Sequence, residues 1–122
     1  MPSQEIVERF ITRVEENEHD KAIEEYYTMD ASMQENQSEP RVGRDLLVEN
    51  ERKVLARVKI MTSKCIRPVF INGDNVVIQW VFQFEWLDGT ITDVEEIAYQ
   101  RWEGDCIAEE KFFYDPIQMI PK

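Results

Sequence analysis

The apolar residues of this chain change period once, and the change divides the sequence into a helical part and a strand part. Up to about residue 58 they recur at spacings of three and four, as one face of a helix requires. From Lys59 onward they alternate, as one face of a strand requires. The strand part is cut by Asn72-Gly-Asp-Asn75, Asp88-Gly89 and Glu103-Gly-Asp105, each with the glycine beside Asn or Asp that a tight hairpin turn needs for positive φ. Lys59 to Ile71, Val76 to Leu87, Ile91 to Trp102 and Cys106 to Asp115 are therefore predicted as strands. Such short turns leave no room for helical crossovers, so the expected fold class is α+β with an antiparallel meander.

Before the switch, Ile6, Val7, Phe10, Ile11 and Val14 mark one buried stripe on a helix from Gln4 to Glu18, with Ser3 placed to cap it. Asn17 to Asp20 breaks the pattern, and a second helix from Lys21 to Tyr27, capped by Asp20, turns Ala22, Ile23 and Tyr26 inward. Ala31 to Glu35 reads as a short strand running into a polar loop, Asn36 to Pro40. Gly43 opens a third helix, Arg44 to about Val58, with Leu47, Val54 and Val58 on its inner side. The expected architecture is three N-terminal helices packed on a curved antiparallel sheet, one domain over residues 1–122 that encloses a pocket. A chain of this length buries enough surface for a single core.

Twenty-five acidic residues against 14 basic ones give a formal charge of −11, which repels phosphate backbones and anionic membranes. No nucleic acid and no membrane is expected as a partner. No apolar run approaches the ~18 residues of a membrane helix, and the N-terminal segment lacks the basic flank and apolar stretch of a signal peptide, so the expected location is the cytoplasm. Cys65 and Cys106 fall in predicted strands without a histidine or C-x-x-C spacing beside them and are expected to be reduced. The one histidine, His19, falls in the hairpin between the first two helices and is expected to be exposed. A single histidine assembles neither a nucleophile triad nor a usual zinc site, so no metal and no cofactor is expected.

The run from Val76 to Leu87 is the most informative for function. Its even positions, Val76, Ile78, Trp80, Phe82, Phe84 and Trp86, form one face rich in large rings. Rings at this density either fill the core under the helices or line a pocket, and four in a row exceed what three short helices need. The opposite face is not cleanly polar: Val77 and Val81, with Ile97, Tyr99 and Phe113 on the neighbouring strands, form an apolar patch on the back of the sheet. A sheet with one face on helices usually solvates the other, so a homodimer through this patch is expected.

The order helix, helix, short strand, helix and four long strands resembles the NTF2-like superfamily, and within it the SnoaL-like group that includes polyketide cyclases. The segment Glu25-Tyr-Tyr-Thr-Met-Asp30-Ala-Ser-Met-Gln-Glu35-Asn-Gln-Ser-Glu-Pro40-Arg-Val-Gly43 is similar to the second helix, first strand and Gly-led third helix of the ketosteroid isomerases. The resemblance covers almost the whole chain. It implies a cystatin-like cone whose helices and concave sheet enclose one small-molecule cavity, with dimers through the sheet in many members. It leaves the chemistry open, because the superfamily hosts isomerases, cyclases, dehydratases, hydrolases and non-catalytic modules.

Residue by residue, the resemblance puts the isomerase general base on Glu35. The two donors that hold the enolate oxygen fall on Phe10 and Ala98, neither of which can donate a hydrogen bond, so a competent steroid isomerase is not expected. A carboxylate that the cyclases keep near the end of the sheet is matched by Asp115. From the residues themselves, Glu96 and Gln100 share the inward parity of Ala98, and Glu110 shares that of Phe112 and Tyr114. Each of these is either a pocket group or, for Glu110, a buried partner of a helix Lys or Arg. Tyr26, Tyr27 and Tyr114 are placed to offer hydroxyls to a ligand. Two functions stay open: a pocket protein binding a small, mostly apolar, planar or polycyclic ligand with cofactor-free carboxylate acid/base chemistry, and a non-catalytic binding or assembly module.

Overall fold

Ser3 starts the fold by accepting a hydrogen bond from the Ile6 amide at 3.1 Å, which caps helix α1, Gln4–Glu15. The computed structural model describes residues 1–122. Asn17 takes a left-handed conformation (φ 66°) and reverses the chain directly into α2, His19–Tyr26. The predicted hairpin is present, but α2 begins two residues earlier than expected, with Glu18 and not Asp20 at its N-cap. Asp20 instead lies in the first turn and receives Arg52 from the third helix, at 3.3 Å.

Strand β1, Tyr27–Glu35, follows α2 without a loop and is longer than its Ala31 to Glu35 core. A two-residue strand β2, Arg41–Val42, pairs back on it, and Gly43, at φ 108°, turns the chain into α3, Arg44–Leu55. A side chain at that φ would be strained, which accounts for the glycine. Helix α3 ends before Val58, because Val58 already pairs with Trp86 in the sheet; its most buried residues are Leu47 and Val48, while Val54 is half-buried.

The long strands are β3, Val58–Asn72; β4, Asn75–Trp86; β5, Ile91–Glu103; and β6, Cys106–Phe113. A short 3-10 helix, Pro116–Met119, follows. The sheet is curved, open and six-stranded, in the order β2-β1-β6-β5-β4-β3. It is mixed, and this corrects the expectation of a wholly antiparallel sheet: β1 runs parallel to β6, with Met33 opposite Glu110 and Glu35 opposite Phe112. The long excursion through α3 and three strands supplies the crossover that a parallel pair needs.

The inward parity of β4 is as predicted. Val76 and Ile78 are fully buried, Trp80 and Phe82 nearly so, and they join Phe10 and Ile11 of α1, Leu47 of α3, Trp102 and Ile107 in one core. Both cysteines are free. No helix is long and apolar enough to cross a membrane.

Candidate functional site

Where the three helices leave the concave face of β1, β4, β5 and β6 uncovered, a cavity of about 200 Å³ remains, with 14 of its 20 lining residues hydrophobic. Trp80, Phe82 and Phe84 form its β4 wall, Phe10 and Ile23 its helix side, and Phe112 and Tyr114 its β6 side. The β4 rings stack on one another along the strand: Trp80 on Phe82 at 5.5 Å and 18°, and Phe84 on Trp86 at 5.2 Å and 13°. The aromatic wall is therefore self-supporting, and its rings are held in place before any ligand arrives.

Several expected lining residues lie elsewhere. Trp86 has the right parity but sits past the cavity's end, donating to the Thr92 hydroxyl at 2.8 Å with the Arg57 guanidinium over its ring. Tyr26 packs edge-on against Phe10 and does not line the cavity. Ala98 is fully buried and does not line the cavity, and Asp115 turns outward to cap the 3-10 helix by accepting from the Ile117 amide at 3.0 Å. These four are corrected: parity on a strand or helix says which way a side chain points, not where along the element the cavity lies.

Glu110 does reach the cavity, through a buried polar chain and not through a Lys or Arg. Tyr27 donates to its Oε1 and Gln100 donates to its Oε2 at 2.7 Å, while Trp102 donates to the Gln100 carbonyl at 2.9 Å. Burial pushes the Glu110 carboxyl up to about 7, against the two hydrogen bonds, which lower it. Gln100 is thus committed to this network and not presented to the cavity.

Glu96, on β5 opposite Trp80, has no such partners. Its carboxyl opens onto the cavity, and no hydrogen bond engages it. Burial raises it to about 8, with the charges of Glu110, Glu35 and Glu51 adding to the effect. An unengaged carboxylic acid that keeps its proton at neutral pH can donate a hydrogen bond or a proton to a ligand oxygen. Glu35, at the end of β1, is also on the cavity, paired with Arg41 of β2 at 3.5 Å, and both side chains are partly exposed at the mouth. The Arg41 Nε is buried without a partner. Burial, with the charge of Glu35 close by, raises the Tyr114 hydroxyl.

Three ionisable cavity residues were not anticipated: His19, Arg41 and Glu51. His19 is not exposed. Its side chain is 13% accessible, its ring meets Phe82 edge-on at 5.1 Å, and its nitrogens face Ser63 and Glu51. Spacing held the signal for two of them, since His19 precedes the inward Ala22 and Ile23 by three and four, and Glu51 follows Leu47 by four. Nothing in the sequence marks Arg41, which is placed by pairing with Met33.

No family model matches the sequence, and no curated protein matches it. Solved structures do match the fold. A SnoaL-like protein from Mesorhizobium loti has a TM-score of 0.77 at 19% identity, over 93% of this chain and 100% of that one. A protein of ketosteroid isomerase-like fold from Catenulispora acidiphila, in complex with trimethylamine, has a TM-score of 0.76 at 16% identity, over 93% and 87%. An LEH-like epoxide hydrolase of M. tuberculosis has a TM-score of 0.76 at 15% identity, over 94% and 84%. The fold is the α+β cone of the NTF2-like and SnoaL-like proteins.

Proposed function

We propose that the cavity binds a small, mostly apolar, planar molecule and acts on it by carboxylate acid/base chemistry without a cofactor, of the isomerase, cyclase or dehydratase kind. The observation that carries this is the placement of Glu96, whose carboxyl makes no hydrogen bond to the protein and opens onto a mostly apolar cavity, where burial pushes it up to about 8. Glu96 donates to the ligand oxygen on which charge develops. Glu35 is the carboxylate base at the mouth, with Arg41 holding it. At about 200 Å³ the cavity is below the usual range of roughly 300–1,000 Å³, which suits one or two rings better than the four of a steroid. Among proteins of this fold, one holds trimethylamine and another is an epoxide hydrolase, so small-molecule cavities with chemistry are compatible with the scaffold.

The test is a screen of one- and two-ring neutral compounds by tryptophan emission, since Trp80 lines the cavity. Quenching that is lost in Phe82→Leu supports the reading. No response from any compound at millimolar concentration overturns it.

A non-catalytic module is the second reading, favoured by the outer face of the sheet. There Val81, Ile97, Tyr99 and Phe113 are each about two-fifths exposed, and Phe70 more so. We read this face as a homodimer interface in either case.

A further inference from the structure

We infer that His19 is a second proton-transfer group of the cavity, acting through Nδ1 beside Glu51 and facing the ligand from the helix side, across from Glu96 on the sheet. It builds on the reading of the cavity as a small-molecule site.

A chain of hydrogen bonds sets the state of the imidazole. The Asn17 side-chain nitrogen donates to the Met61 carbonyl at 2.9 Å, and a carbonyl can only accept, so the Asn17 amide oxygen must face the other way. The Ser63 hydroxyl spends its single proton on that oxygen, at 2.8 Å. Toward His19 Nε2, 2.9 Å away, the hydroxyl has only lone pairs left, so Nε2 carries the hydrogen. In the neutral ring Nδ1 is then the basic nitrogen. Its neighbour is Glu51 Oε1 at 3.5 Å, too long for a good hydrogen bond but close enough for its charge to favour a proton arriving on Nδ1.

Position supports the same role. His19, Glu51 and Glu96 all line the one cavity, and the His19 ring rests on Phe82, which stacks on the Trp80 opposite Glu96. A C–H or O–H proton of the ligand passes to Nδ1, and the bonding pair stays on the ligand. The resulting charge is taken up at an oxygen that receives the Glu96 proton. Returning the Nδ1 proton to another ligand position, while the ligand oxygen gives its proton back to Glu96, restores both groups, so no co-reactant is needed.

Because His19 is the only histidine, its ring nitrogens can be read by long-range proton–nitrogen NMR on the full chain without assignment. In the neutral ring the expected form carries hydrogen on Nε2, and Ser63→Ala should relax it toward a mixture of tautomers. Saturating 2-naphthol, a planar probe with one acidic hydroxyl, should move the Nδ1 signal far more than Nε2, and His19→Gln should lower the ionised fraction of bound naphthol about tenfold while tryptophan quenching persists, as expected for one lost charge-assisted hydrogen bond. Hydrogen on Nδ1 in the free protein overturns the inference. So does an unmoved Nδ1 signal when quenching shows that naphthol is bound. If naphthol does not quench at all, the cavity reading fails first and this one with it.

Discussion

Ala98 and Glu96 lie two residues apart on the inward face of β5, one fully buried away from the cavity lining and the other opening onto the cavity. A donor absent at the first position is available one inward position earlier, on a longer side chain. Parity alone made Glu96 inward in the sequence. Its freedom from partners was not legible, because Gln100 and Tyr27 are drawn to Glu110 by contacts between residues far apart in the chain. Glu35 was legible as a carboxylate at the end of a strand, but its partner Arg41 was not. If Glu96 works as an acid, any activity should fall as pH rises through about 8. Glu96→Gln should lower the rate by roughly 10² to 10⁴ and remove that falling limb, and Glu35→Gln should cost a similar factor on the basic step. A pH–rate profile of each variant checks both. An unchanged falling limb in Glu96→Gln would assign it to another group.

Among the elements, β4 and α2 show where sequence reading works and where it stops. Alternation in β4 was plain, and the inward and outward sets came out as expected. The end of the cavity between Phe84 and Trp86 was invisible, since it depends on the turn after α3, whose Arg57 guanidinium lies over the Trp86 ring. Helix α2 starts at His19 because Asn17 alone makes the reversal, and this turned a residue expected in solvent into a wall residue. The stacked rings of β4 support one another, so Phe82→Ala should cost about 3–5 kcal/mol of stability, whereas Phe82→Leu keeps much of the volume and should cost less. Chemical denaturation of both variants measures the difference. A loss below about 1 kcal/mol in Phe82→Ala would show that the ladder is not packed as described.

For the whole molecule, two consequences follow from what the fold buries and what it leaves bare. Glu96 and Glu110 keep their protons in the folded state up to about 8 and about 7, whereas an unfolded glutamate releases its proton near 4.3. The folded state therefore holds more protons across this window, and the contribution of these groups to stability is full below about pH 4 and is lost as pH rises toward 8. Relative to the wild type, Glu96→Gln should gain about 1–3 kcal/mol at pH 8.5 and nothing at pH 4, a value reduced for partial exposure. Equal effects at both pH values would contradict it. On the outer face, Val81→Glu would bury charge in the proposed interface and should convert a dimer to monomer in light scattering. A wild-type monomer at tens of micromolar would leave that face without its proposed partner. The functional reading as a whole turns on one group, and the most direct measurement is a carbon-13 NMR titration of the Glu96 carboxyl, identified by its loss in Glu96→Gln. A midpoint near 8 is predicted, and a midpoint near the ordinary 4.5 would contradict the assignment of Glu96 as the acid.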